Sequence, residues 1–274
     1  MRKWFFGAGL GTGLLVAGAA ALLLRPGFED AGCACVSPPT LEQIRADINE
    51  VEKDSGLSAI GAAGRVWQGY ALRGDKVEAE RWRNRAIELR DPETTGRLAS
   101  EQIMSVSEAN SDDEKRRRLR SVLALLERGY PNRASLDALS NGIYAHNMRS
   151  ARAALAVMET GPDPWIRKAD AGDATAAHHL ARYYFYVLLD QDQRSRWEQR
   201  GAELGDPELA HDAACCWRRT PDELREGKRI IEAARNNRQA WANIGDPWMI
   251  GIVAADLDQA ETLLDRRLAV EKTH

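Results

Sequence analysis

Trp82-Arg-Asn-Arg-Ala-Ile-Glu-Leu-Arg-Asp-Pro-Glu93 returns later in the chain as Trp197-Glu-Gln-Arg-Gly-Ala-Glu-Leu-Gly-Asp-Pro-Glu208. Seven of the twelve positions are identical: Trp, Arg, Glu, Leu, Asp, Pro and Glu. Each copy is a helical run that stops and a new one that starts. Asp offers a carboxylate to the free N–H groups of a first helical turn. Pro fits the first helical position because its missing N–H has no partner there. Internal repetition decides the fold class. A short helical hairpin cannot bury its own apolar face, and stacking against the next one buries it.

Working outward, helix starts of this type fall at Asp91, Asn132, Asp173, Asp206 and Asp246, spaced 41, 41, 33 and 40 residues apart. Seven residues after each start stand Leu98, Leu139, Leu180, Ala213 and Val253. The next position holds Ala99, Ser140, Ala181, Ala214 and Ala254, all small. Eleven residues after the start stand Gln102, Ile143, Tyr184, Trp217 and Leu257. The seventh and eleventh positions share a helical face and are expected to point inward; the small residue admits a close neighbour. Residues from about Ala59, with Val66, Trp67 and Tyr70, fit the same register. A second helix is expected in each unit at residues 78–89, 113–128, 149–160, 193–204 and 222–236.

Asp173-Ala-Thr-Ala176, Leu180-Ala181, Tyr184, Trp197, Gly201-Ala-Glu203 and Gly205-Asp206 resemble the SEL-one-like repeat, a relative of the tetratricopeptide repeat. That unit has two helices in roughly 36 to 44 residues. The likeness spans most of residues 56–257, with five to six units. The Asn132 and Asp246 units lack the Trp, and most loop glycines of the family are missing. The resemblance implies an all-α fold of two-helix repeats, stacked into a right-handed superhelical solenoid. Composition agrees: Ala, Leu, Arg and Glu dominate, charged residues make up 29%, and β-rich runs are absent. Eight Trp are read as repeat-core packing.

Residues 4–24 carry no charge, and at 1.5 Å per residue a helix of this length spans about 30 Å, the hydrocarbon core of a bilayer. Arg2 and Lys3 precede the run, so the positive-inside rule leaves the amino terminus in the cytoplasm and sends the body across the membrane. The expected organisation is an N-terminal transmembrane helix over 1–25, a tether over 26–40, a lead-in helix over 41–55 and the repeats over 56–274. In a bacterium this is a single-pass inner-membrane protein with its body in the periplasm. An uncleaved anchor, cleavage after Ala19 and lipoprotein processing at Cys33 all remain open. Gly7, Gly9, Gly11 and Gly13 form small-xxx-small pairs that suit self-association.

Cys33 and Cys35 lie on the tether, available for a disulfide or for lipidation, whereas Cys215-Cys216 fall within a helix, where a vicinal bridge would strain the backbone. Neither pair has metal-ligand spacing, and the adjacent His178 and His179 point about 100° apart on a helix; no metal or other cofactor is expected. These histidines are read as ordinary surface or half-buried side chains. The net charge is −3, and removing residues 1–25 leaves −6, which argues against nucleic acid. The basic run Lys115 to Arg118 with Arg120 reads as a solvated helix face or a partner patch.

No G-x-S-x-G, P-loop, H-E-x-x-H or dinucleotide glycine motif is present, so the chain reads as a binding protein rather than an enzyme. The expected partner is a protein, a secreted toxin or an envelope component, held on the concave face by Arg65, Gln68, Arg97, Asn141, Arg182 and Tyr183. The resemblance implies one specific role, an immunity protein neutralising a type VI secretion phospholipase effector. The alternative is a structural scaffold for envelope or secretion-machinery assembly.

Overall fold

The computed structural model describes residues 38–53, 56–215 and 220–271. The expected anchor over 4–24, with Cys33, Cys35 and Cys216, lies outside them. The described residues form thirteen α-helices and no strand. They are α1 (Leu41–Lys53), α2 (Leu57–Leu72), α3 (Lys76–Glu88), α4 (Pro92–Met104), α5 (Asp112–Gly129), α6 (Ala138–Thr160), α7 (Asp163–Asp170), α8 (Ala174–Tyr183), α9 (Gln191–Glu203), α10 (Pro207–Cys215), α11 (Pro221–Asn236), α12 (Arg238–Ile244) and α13 (Pro247–Glu271). Two 3-10 turns, Val106–Glu108 and Tyr130–Ser135, and a π-turn, Tyr184–Leu188, complete the path. No described helix is long and apolar enough to cross a membrane.

One turn chemistry builds the hairpins. A residue with positive φ closes one helix, and the Asp after it caps the next. The pairs are Gly74-Asp75, Arg90-Asp91, Gly172-Asp173, Leu189-Asp190, Gly205-Asp206 and Gly245-Asp246. Asp91 accepts from the Thr94 amide at 3.0 Å, and Asp206 from the amides of Glu208 and Leu209 at 3.0 and 3.1 Å. The amides of Asp75, Asp91, Asp173 and Asp206 each reach back five residues to a carbonyl, which ties off the preceding helix. Arg90 takes the left-handed conformation at φ 62° with a Cβ in the way, whereas Gly205 takes it at φ 85° without one. Arg90→Gly is expected to raise stability by about 1 kcal/mol in thermal denaturation. Gly205→Ala should lower it, because the new Cβ would lie 2.6 Å from the Ala233 carbonyl oxygen. A null or destabilising effect at Arg90 would show that the turn carries no strain there.

Helices α2/α3, α4/α5, α8/α9 and α10/α11 pack as hairpins, with α1 against α2 and α6 between α5 and α8. Helix α13 packs on α10 and α11 and also returns to α6. Three apolar clusters result. The first joins Ile44 and Val66 to Trp82. The second joins Ile103 and Leu119 to Tyr144. The third joins Leu180 and Trp197 to Ile231 and Leu257. The small-residue positions Ala99, Ala181 and Ala214 are fully buried, as the register requires.

The register breaks in the middle. Asn132 does not start a helix: it sits in the second 3-10 turn, where its amide donates to the Arg90 carbonyl, and Asp137 caps α6 instead. Leu139 is consequently 64% exposed rather than inward. The expected separate helix at 149–160 is the second half of α6, because nothing between Gly142 and Gly161 interrupts an Ala-rich run. The basic run is divided: Arg117 and Arg120 stay exposed, whereas three of its cations reach backbone carbonyls. Lys115 donates to the Val187 carbonyl, Arg116 to that of Met158 and Arg118 to that of Ser105, so these cations tie down helix and turn ends.

Candidate functional site

Of the six expected partner residues, Arg65, Gln68 and Arg97 lie on α2 and α4. Arg65 pairs with Asp47 at 2.6 Å and Glu50 at 3.1 Å. Gln68 donates to Glu93 at 3.0 Å. Arg97 stacks over Trp67 and reaches Glu101 at 3.4 Å. Tyr183 is half-buried, edge-on to Tyr184. Asn141 and Arg182 are buried, not groove residues. Asn141 donates to the Arg133 carbonyl at 3.0 Å; Arg182 donates to Glu208 at 2.8 Å.

Arg182 belongs to a buried charged cluster. Helix α6 supplies His146 and Arg149, α8 supplies His178 and Arg182, and the start of α10 supplies Asp206 and Glu208. The Glu208 carboxylate meets His146 Nδ1 at 2.7 Å, Arg182 at 2.8 Å and Arg149 at 3.3 Å. Arg149 also reaches Asp206 at 3.3 Å. The His178 ring lies between the two carboxylates, with Nδ1 3.6 Å from Asp206 and Nε2 3.7 Å from Glu208. Neither ring nitrogen has a hydrogen-bond partner. Burial raises the Glu208 carboxyl, but His178, Arg149, Arg182 and His146 outweigh it and hold the group well below the usual carboxylate range. Burial likewise works against Asp206, where the His178 ring and Arg149 prevail. Burial, aided by Arg149, pushes His178 down.

The first copy of the repeat shows what the second has added. Gln68 reaches Glu93 across 25 residues and Arg182 reaches Glu208 across 26, the π-turn contributing the extra residue. In the same alignment Gly64 matches His178. A Cβ at Gly64 would collide with the Asp91 carboxylate, so there α2 runs directly against the cap. Burial raises the Asp91 carboxyl, opposed by its Thr94 hydrogen bonds. The same capping aspartate is therefore shifted in opposite directions in the two copies, because only the second has a histidine and guanidiniums beside it.

Ser150 Oγ lies 3.4 Å from His146 Nε2, which gives Ser150, His146 and Glu208 the connectivity of a nucleophile, base and acid. Ser150 is fully covered on the inner face of α6, so its hydroxyl has no path to a substrate in this arrangement. Among the described residues no His, Cys, Asp and Glu group is arranged to hold a metal ion.

A surface feature lies where α6 and α13 begin. Arg133 bridges the two by a bidentate pair with Asp246, one contact at 2.6 Å, while its guanidinium stacks 4.7 Å over the Tyr130 ring. Further along, Gly142 of α6 faces Ile252 of α13, so the helices run side by side from their first turns. This places Leu139 and Trp248 at one level. Tyr130 is 44% exposed, Leu139 64% and Trp248 44%. Arg90 and Arg128 are exposed nearby and make no ion pair among the described residues. Sequence reading missed this cluster because its members come from three distant segments.

Comparison of the chain with family models, with curated proteins and with solved structures returned no match. The class defined by the fold is an all-α protein of packed helical hairpins, with a buried charged cluster and with Tyr130, Leu139 and Trp248 exposed.

Proposed function

We propose that this chain is a membrane-tethered, periplasm-facing repeat protein of the SEL-one-like type, a helical solenoid that binds another protein. The observation that carries the binding reading is the joint exposure of Tyr130, Leu139 and Trp248 beside Arg90 and Arg128. Trp, Tyr and Arg are the residue types that dominate binding energy at protein interfaces, and grouped exposed apolar side chains mark such surfaces. The two exposed guanidiniums on a body of net charge −6 favour an acidic partner surface. The uncharged run at 4–24 supplies the tether. Within this reading, neutralisation of a type VI secretion phospholipase effector is the specific role that the repeat resemblance suggests.

The test is affinity capture from the envelope of the source cell with the full chain in detergent, followed by titration of the purified partner. One toxin or envelope protein at near-equal stoichiometry is expected. Trp248→Ala and Leu139→Asp should each weaken it by about 30-fold, the loss of one hot spot. Both side chains are exposed, so thermal midpoints should stay within a few degrees of the parent. Undiminished affinity in both variants would remove the patch from the proposal. Capture of wall or secretion-machinery proteins would make the chain a scaffold.

A further inference from the structure

We propose that His178 is a proton-operated latch on the joint between α8 and α10: neutral, it fills the gap between Asp206 and Glu208; charged, it drives the joint open.

The cluster holds two carboxylates, Asp206 and Glu208, and two guanidiniums, Arg149 and Arg182. With His178 neutral, the two carboxylates balance the two guanidiniums. A proton on His178 leaves one uncompensated positive charge in a fully covered place, which costs far more there than in water. Geometry adds a second reason. A neutral imidazole has one N–H and one lone pair, yet His178 presents both nitrogens to carboxylates, at 3.6 and 3.7 Å. At these distances neither contact is a hydrogen bond, so the neutral ring acts as a spacer that any opening can release.

The surroundings are of known charge on every side. From α6 the ring meets Arg149, with His146 bound to the same Glu208. From α10 it meets Asp206 and Glu208. Its own helix carries Arg182 and the adjacent His179, whose ring is 6.2 Å away. Past Arg182 stand Tyr186 of the π-turn and Glu198 of α9 with its partner Arg194. Helix α7 contributes Trp165, stacked on His179, and α12 reaches α8 through Asn243 and Thr175.

The sign follows from these groups. His178 is depressed by burial and by Arg149; His179 is pushed down to about 4 by burial and by His178. An opened joint lets His178 return towards 6.5, so the open form binds protons more readily. The joint keeps its full stability above about pH 6.5 and loses it as pH falls below, by up to about tenfold in the opening equilibrium per pH unit and per histidine. Glu208 is lowered in the closed form against the cost of burial, with Arg149 and Arg182 beside it, so it acts in the same direction at lower pH. What opens is defined by packing: α10 is packed on α9, α11 and α13, and its ties across to α6 and α8 are the ion pairs of the cluster.

The experiment is hydrogen exchange of the full chain in detergent micelles at pH 7.5 and 5.5, corrected for intrinsic rates. Amides of α8 and α10 should lose about tenfold protection at pH 5.5, while α2 and α4, whose joint has Gly64 in place of the histidine, keep theirs. His178→Gln, which cannot take up a proton, should recover about tenfold of that loss. Equal losses in parent and variant, or no loss in the parent, would overturn the latch. Ring NMR of ¹³C-histidine in the unaltered chain gives an answer independent of the variant's folding. A His178 ring that titrates near 6.5 without any loss of protection would also overturn it.

Discussion

Glu208→Gln is expected to destabilise the protein by about 3–5 kcal/mol, the usual consequence of removing one partner from a buried ion pair. The carboxylate is the common acceptor of His146, Arg149 and Arg182, and Arg182 is almost fully buried. Gln keeps the shape and removes the charge, which leaves two guanidiniums facing the single carboxylate of Asp206. For a chain of this size the loss corresponds to a fall of roughly 6–20 °C in thermal midpoint. A fall equivalent to under about 1 kcal/mol would mean that water reaches the cluster and screens it. A double-mutant cycle sharpens the test. Arg182→Gln with Glu208→Gln removes one charge of each sign and leaves Arg149 paired with Asp206, so the double variant should be more stable than the sum of the single losses implies.

Trp197→Ala is expected to cost about 3–5 kcal/mol, as for a large aromatic side chain removed from a packed core. Trp197 is 2% exposed in the third apolar cluster, against Ala202, Leu209 and their neighbours. Its indole N–H has no hydrogen-bond partner, so its ring contributes through packing and through the Arg196 guanidinium 5.0 Å above it, and Trp197→Phe should lose far less than Trp197→Ala. Trp82 holds the equivalent place in the first cluster. Trp82→Ala should cost a similar amount, and the two losses should add, because the clusters share no side chain. Chemical denaturation of the two single variants and the double variant measures this. Strong non-additivity would show that the two clusters are energetically coupled through the helices between them.

Much of the fold was legible in the sequence because its signals are local. An Asp carboxylate reaches only the next turn, so Asp91, Asp173, Asp206 and Asp246 announce helix starts wherever they stand. The period made Ala99, Ala181 and Ala214 places of close helix approach, and the structure buries all three; of the positions it pointed inward, Leu180, Val253 and Leu257 are buried and Leu139 is not. Asn132 failed for an equally physical reason. Its side chain was taken by the Arg90 carbonyl, a long-range partner that no window around residue 132 contains.

The candidate sites were less legible. Arg182 and Asn141 look like surface residues because an Arg or Asn is buried only when distant atoms satisfy it, here Glu208 and the Arg133 carbonyl. One signal was available for the cluster. His178 and Arg182 stand one turn apart on α8, above the repeated Asp206-Pro-Glu208, where the first copy has Gly64 and Gln68. The sequence by itself determined helices, caps, the hairpin repeat and which small residues let helices touch, since each depends on neighbours within a few residues. Only the tertiary structure decided that His146, Arg149, His178, Arg182, Asp206 and Glu208 meet in one largely covered cluster, and that Tyr130, Leu139 and Trp248 stay exposed. Those groupings depend on how α6 meets α8, α10 and α13. That is set by the sum of many weak apolar contacts, and no single stretch of residues encodes it.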